Sequence, residues 1–363
     1  MIFKDICKIN SGKSIKACYI SDKDINHNIP CYGGNGLRGY VASPNQVGGN
    51  PIIGRVGAQC GNIHYCDEPF YATEHALVVT LKDENVNPKW LCRKFESMKL
   101  GSYAEGAAQP VIAASKLLQI EITIPSVSEQ QSIVDYLDSA FAKIDAMKAN
   151  AEKSLNEAKA LFQASLKEML EPKEGWEEKT LDDICEIKSI LVDPTDAQYK
   201  DLLHVGGANI VSETGELIEL KTAAEEELTS GKFTFNDKDV LYNKIRPYLI
   251  KVSRPDFSGL CSADMYPLTS KKGMTRDYLY YILVSRDFTD YAIMNSARAG
   301  MPKLNRQALF AYKCMIPPLC EQQAIVYYLD SLKSKIARLQ ENYNKISREC
   351  DALKQAILRQ VFE

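Results

Sequence analysis

One stretch of this chain occurs twice, and that duplication limits the possible architectures more than any other feature. Ile124-Pro125-Ser126-Val127-Ser128-Glu129-Gln130-Gln131 returns, at an offset of 192 residues, as Ile316-Pro317-Pro318-Leu319-Cys320-Glu321-Gln322-Gln323, and the likeness continues without a gap to Glu171 and Glu363. About 22 of the 48 aligned positions are identical, far above chance for a repeat of this length.

Both copies read as long helices. The prolines ahead of Glu129 and Glu321 block an earlier helical start, and Ser128 offers a cap with an acid in the first turn. In the second copy Ile325, Leu329, Leu332, Ile336, Leu339, Tyr343, Ile346, Cys350, Leu353 and Ile357 alternate in steps of four and three. The first copy keeps the rhythm through Val134, Leu137, Phe141, Ile144, Ala151, Leu155, Ala158, Phe162 and Met169, broken at Lys148 and Ser165. Spacing near 3.5 over several heptads marks helices packed along their length. About 40 residues of helix span roughly 60 Å, a rod and not a core helix. Two matching rods in one chain are most simply paired with each other, through Leu137, Ile144 and Leu155 on one and Leu329, Ile336, Leu339 and Leu353 on the other. A surface helix on each domain, or a homodimeric coiled coil, are the alternatives.

Weaker matches precede each rod. Lys4-Asp5-Ile6-Cys7-Lys8-Ile9 pairs with Asp182-Asp183-Ile184-Cys185-Glu186-Ile187, and Gly106 to Ile112 with Arg298 to Leu304. The layout is globular, rod, globular, rod, over residues 1–125, 126–171, 172–317 and 318–363, with Pro172-Lys173-Glu174-Gly175 ending the first rod. Ala76 to Leu81 and Asp239 to Tyr242 read as strands, Pro88 to Leu100 and Arg276 to Tyr291 as helices. The expected class is α/β, with mixed α+β globular domains.

A 45% hydrophobic, 25% charged composition is that of an ordinary globular protein, and no apolar run reaches the ~20 residues of a membrane helix. The opening residues, Met1 to Ile6, lack the pattern of a signal peptide. Eleven scattered cysteines with no C-x-x-C point to a reducing cytoplasm. Cys60, His64 and Cys66, even with His27 and Cys31, fit no familiar zinc spacing. A net charge of –3 argues against a basic, non-specific DNA coat. Residues 1–125 carry 13 basic and 11 acidic side chains, and 172–317 carry 19 and 22, so neither is a basic module.

Two variable segments, each followed by Ile-Pro-x-x-x-Glu-Gln-Gln at the start of a long helix, resemble the specificity subunits of type I restriction–modification enzymes over essentially the whole chain. Gly175-Trp176 leading into Leu181-Asp182-Asp183-Ile184 adds to the resemblance; the first half has no such lead-in before Met1. The resemblance implies two target-recognition domains, each reading one half of a split site on double-stranded DNA. It implies two long antiparallel coiled-coil helices, related with the domains by a pseudo-two-fold, that fix the gap between half-sites. It also implies docking of two methyltransferase subunits using S-adenosylmethionine, and of restriction (translocase) subunits using ATP and Mg2+. The chain itself would be non-catalytic, with no cofactor, no metal and no membrane contact.

Base edges are read by amides, guanidinium groups and aromatics, and phosphates are held by cations. In the first domain the candidates are Asn35, Arg38 and Tyr40 in a glycine-rich loop, Arg55 at a strand end, and Gln59 and Asn62 beyond it. A glycine-rich turn between strands, needing no ligand, is the alternative for the loop. In the second domain they are Asn243, Lys244, Arg246 and Tyr248, then Arg298 and Lys303. A charged edge strand ending at Pro247 is the rival there.

An enzyme reading finds no site. Asn87-Pro88-Lys89-Trp90 only approaches the [N/D]-P-P-[Y/F/W] motif of adenine methyltransferases, and Glu219 with Lys221 makes a nuclease-like pair that solvated strand charges explain as well. A scaffold that binds proteins and not DNA would account for the rods but not for two divergent heads. A silent specificity cassette would keep the fold without the activity.

Overall fold

The computed structural model describes residues 1–106, 109–296 and 301–363. The chain divides into two compact units, Met1–Glu152 together with Asn342–Glu363, and Lys153–Glu341. Each long helix is therefore shared, one part in each unit.

In the first unit α1 (Phe3–Ile6) leads into β1 (Cys7–Ser11), followed by β2 (Ile29–Gly33), β3 (Gly36–Val41), β4 (Asn50–Gly54), β5 (Ile63–Cys66), β6 (Tyr71–Ala72) and β7 (Ala76–Leu81). Then come α2 (Pro88–Ser97), the short α3 (Ala114–Leu117) and the long α4 (Val127–Met169). An antiparallel sheet runs β1-β7-β4-β5, and a smaller one β3-β2-β6. Every residue of β4 is buried, as are Ala76–Val79 of β7, which is why these strands read as unbroken apolar runs. Against this sheet packs α2, whose Trp90, Leu91 and Phe95 share a core with Phe3, Ile6, Ile53 and Val79. Asn87 starts α2 by accepting the Lys89 and Trp90 amides, with Pro88 set in the first turn where its missing N–H is harmless.

The second unit repeats the scheme with more strands. β8 (Glu177–Thr180), α5 (Leu181–Ile184), β9 (Cys185–Glu186), β10 (Leu191–Val192), β11 (Leu203–Val205), β12 (Lys221–Thr222), β13 (Lys232–Phe235) and β14 (Asp239–Asn243) come first. They are followed by β15 (Val252–Ser253), β16 (Gly259–Cys261), β17 (Met265–Ser270), α6 (Arg276–Val284), α7 (Arg286–Met294), α8 (Arg306–Phe310), β18 (Lys313–Ile316) and α9 (Leu319–Phe362). One sheet runs β15-β14-β17-β9 and another β10-β13-β16-β11-β12, while β18 pairs with β8. The single helix expected over 276–291 is two, because Ser285 takes an extended conformation and caps α7 by accepting the Phe288 amide.

Within the first unit the early part of α4 lies against the late part of α9, so the two run antiparallel. Leu137, Phe141 and Ile144 form one cluster with Cys350 and Leu358, flanked by Lys354–Asp145 (2.6 Å) and Lys148–Asp351 (3.5 Å). Within the second unit the late part of α4 meets the early part of α9. Leu166 shares a core with Ile325 and Leu329, the Ser165 and Tyr328 hydroxyls lie 3.4 Å apart, and Lys159 Nζ donates to Gln340 Oε1. The two breaks in the apolar stripe, Lys148 and Ser165, are thus polar partners across the pair. Leu155 is buried and Ile336 and Leu339 are half-buried. Leu353 corrects the expected stripe: it is 48% exposed while Leu358 is 2% exposed. Near its end α9 also packs on the globular part, with the Phe362 ring 6.1 Å from Trp90.

Candidate nucleic-acid interface

Two glycines assemble the first unit's candidate surface. A Cβ on Gly54 would lie 2.2 Å from the Gly34 carbonyl oxygen, and one on Gly34 would lie 2.4 Å from that of Val56. Only bare backbone permits the β2–β3 hairpin to press this closely on the loop after β4. The contact brings Asn35, exposed at the hairpin tip, beside the loop that carries Arg55, Gln59 and Asn62. Gly36, at φ +93°, turns the hairpin over the His64 ring, whose burial lowers its pKa.

The candidate side chains differ in freedom. Asn35 and Arg38 are exposed, and Tyr40 is half-buried with Lys23 Nζ 5.5 Å from its ring centre. Gln59 and Asn62 are exposed and joined by a 3.0 Å bond from Asn62 Nδ2 to Gln59 Oε1. Arg55 is half-buried, its Nη1 donating to Ser11 Oγ at 2.9 Å and to the Glu74 carbonyl at 3.5 Å.

In the second unit the same frame recurs. The Ile112 amide donates to the Arg55 carbonyl (2.9 Å) and the Gly57 amide to the Pro110 carbonyl (3.0 Å). Correspondingly, the Leu304 amide donates to the Lys244 carbonyl (3.0 Å) and the Arg246 amide to the Pro302 carbonyl (2.8 Å). Arg55 and Lys244 are therefore equivalent, as are Gly57 and Arg246. Both Gly57 (φ +99°) and Arg246 (φ +50°) have positive φ, which costs a residue with a Cβ about 1 kcal/mol.

Two of the expected contacts are corrected. Asn243 and Lys244 are 7% and 8% exposed. Asn243 Oδ1 accepts the Ile245 amide; Lys244 Nζ donates to the Ala263 carbonyl at 2.5 Å and lies 4.8 Å from the centre of the Tyr266 ring. Burial, then the nearby Lys303, lowers the Lys244 pKa. The chain enters this turn from a fully buried strand, so its first two polar residues face inward. Arg246 and Tyr248 are exposed, and Lys303 is half-buried with its ammonium 3.4 Å from Asp264. Arg298 lies outside the described residues. Arg306, exposed at the first position of α8 and close enough that its charge opposes the burial that raises the Tyr266 pKa, completes the surface; a lone arginine after Asn305 gave no signal in the sequence.

Among the described residues no group of three His, Cys, Asp or Glu side chains could hold a metal ion, and no helix is long and apolar enough to cross a membrane. All eleven cysteines are free; Cys18 and Cys320 are exposed and Cys314 half-buried, while the rest are buried.

A family profile described as "Type I restriction modification DNA specificity domain" matches residues 2–157 and again 173–348. The chain is 29% identical over 307 residues to the type I restriction enzyme EcoDI specificity subunit of Escherichia coli, covering 75% of this chain and 68% of that protein. It is 39% identical over 135 residues to the EcoprrI specificity subunit of the same species, covering 37% of this chain and 33% of that one. Among solved structures, a chain from a study of complex assembly and conformational transition in the type I R-M system superposes with a TM-score of 0.73 at 16% identity, covering 100% of this chain and 97% of the other. The HsdS subunit from Thermoanaerobacter tengcongensis gives 0.52 at 16% identity, covering 100% and 95%.

Proposed function

The chain belongs to the type I restriction–modification DNA-specificity family, and on that premise we propose that it reads a two-part, asymmetric site on double-stranded DNA. The target-recognition domains are residues 1–125 and 172–317, and the spacer helices 126–171 and 318–363. The observation that carries this reading is a shared backbone frame with different exposed side chains. Around the same pair of main-chain bonds one unit displays Asn35, Arg38, Gln59 and Asn62, and the other Arg246, Tyr248 and Arg306. Side chains of these types discriminate base edges by paired donors and acceptors, so unlike sets read unlike half-sites.

The spacer helices hold the two readings a fixed number of base pairs apart and dock two methyltransferase subunits, and restriction subunits join the same assembly. S-adenosylmethionine belongs to the methyltransferase, ATP and Mg2+ to the restriction subunit, and this chain contributes recognition without chemistry. With a net charge of –3 it has little phosphate-neutralising capacity of its own, and the partners supply most backbone contact.

The test is a map of N6-methyladenine in cells expressing this chain with its methyltransferase subunit, against cells expressing the methyltransferase alone. A new split motif appearing only with this chain is the expected result. Absence of any motif with both proteins soluble and associated would replace this reading with a silent cassette.

A further inference from the structure

We propose that the first glutamine of each Glu-Gln-Gln triplet, Gln130 and Gln322, together with Asp138 and Asp330, are positioning residues that set how each reading domain leaves its long helix, and so the permitted gap between half-sites. The inference rests on the function proposed above and names the residues through which spacing is enforced.

A glutamine in the first turn of a helix ordinarily points to solvent, yet Gln130 and Gln322 are both fully buried. Gln130 Nε2 donates to the carbonyls of Pro125 (3.0 Å) and Asn85 (2.9 Å), and its Oε1 accepts the amide of Asn87 (2.7 Å), the residue that starts α2. Gln322 does the same in the other unit: Nε2 donates to Pro317 (2.9 Å) and Gly273 (2.9 Å), and Oε1 accepts the amide of Thr275 (2.9 Å), the residue that starts α6. One planar amide thus joins the entry of the long helix to the start of the domain's central helix. Three bonds to main chain fix the orientation of that plane.

Eight residues on, about 12 Å along the helix, is a second fastening. Asp138 accepts from Arg93 of α2 at 2.8 Å, and this guanidinium also meets Glu96 (2.9 Å) and lies 4.8 Å from the centre of the Phe141 ring. Asp330 accepts from Arg254 and, at 2.5 Å, from the Tyr281 hydroxyl; Arg254 also meets Asp277 at 2.8 Å. The aspartates occupy equivalent places in the repeat, and each reaches its domain's central helix, α2 through Arg93 and α6 through the Tyr281 hydroxyl. The two arginines come from different places, Arg93 on α2 and Arg254 just after β15. The helix side of the fastening has been kept and the domain side rebuilt, as expected if what matters is the joint and not the particular arginine. Two separated fastenings restrain both tilt and twist, and one base pair is only about 3.4 Å along the duplex.

The experiment maps N6-methyladenine made by the full chain with its methyltransferase subunits, for wild type, Gln130→Ala, Gln322→Ala, Asp138→Asn and Asp330→Asn. Thermal unfolding of each purified complex accompanies the maps; the near-isosteric Asn variants keep the test alive if a Gln variant does not fold. Expected are unchanged half-site words, with the ratio of correct-gap sites to sites one base pair longer or shorter falling about tenfold. Folded variants that keep the wild-type gap ratio overturn the inference, and so does relaxation of a half-site word at an unchanged gap. A wild-type chain that yields no split motif removes the functional reading itself, and the inference with it.

Discussion

The turn after β4 and the turn after β14 make the same main-chain bonds with different side chains. Gly57 stands where Arg246 does, and half-exposed Arg55 where Lys244 is sealed beneath Tyr266 and the Ala263 carbonyl. The long helices show a similar contrast. Phe141, buried at the helix pair in the first unit, corresponds in the repeat to Lys333 in the second, whose ammonium donates to the Thr214 carbonyl and the Tyr280 hydroxyl. Duplication has preserved backbone joints and left the side chains around them free to diverge. That division suits the proposed reading of two unlike half-sites on one frame.

The contrast breaks most severely at the helix pair. Leu329, fully buried, and Leu353, half exposed, sit on one sequence stripe. Leu329→Asp should cost more than about 4 kcal/mol, since it strands a carboxylate in a core, whereas Leu353→Asp should cost less than about 1 kcal/mol. Urea unfolding measures both, and equal losses would restore the stripe read from sequence.

Next in size is pH. Burial, with Arg254 adding to it and Asp330 opposing, lowers the Lys333 pKa from 10.5 to about 8. Between these values the unfolded chain binds a proton that the folded chain does not. Stability from this group therefore rises with pH across the window and falls to a lower plateau below about pH 8. Compared with Lys333→Met, wild type should gain about 2 kcal/mol between pH 8 and 10. The difference cancels the shared titration of the tyrosines, and a flat difference would place the ammonium in solvent.

Lys244 and Arg246 separate frame from reader. Lys244→Met should cost about 1–3 kcal/mol, because it leaves the Ala263 carbonyl without its donor, and should leave the methylated half-site word unchanged. Arg246→Ala should leave stability within about 0.5 kcal/mol and relax or weaken one half-site. The opposite pattern in paired denaturation and methylation measurements would exchange their roles.

The smallest effect exchanges the two turns. Arg246→Gly should gain about 0.5–1 kcal/mol by removing a Cβ from positive φ, and Gly57→Arg should lose about 1 kcal/mol. Nothing lies within 4 Å of a Cβ at Gly57, so the loss is conformational and not steric. Similar melting shifts of the same sign for both variants would show that the two turns are not equivalent.

Much of the architecture could be read from residues alone. The long helices announce themselves through their repeat and their prolines, and β7 through the run Ala76 to Leu81. The misreadings share a cause. Asn243 and Lys244 look solvent-facing because they are polar, but they continue a fully buried strand, and a lysine stem is long enough to return its ammonium to a carbonyl. Leu353 fits a heptad, yet the buried face of α9 there is made by Cys350 and Leu358, which leaves Leu353 turned outward. Gln130 and Gln322 were hidden for the converse reason: their partners are main-chain groups, which leave no trace in side-chain pattern. The small strands around Leu191 and Lys221 are too short for periodicity to register.

Of the eleven free thiols only Cys18 and Cys320 stand exposed, and they fall in different compact units. Burial pushes up the pKa of several of the others, including Cys92, Cys185 and Cys261, which protects them from alkylation near neutral pH. The unaltered protein thus carries one natural handle for a fluorophore or spin label in each half. A maleimide pair attached there would report, by energy transfer or dipolar coupling, whether the two halves move when DNA arrives.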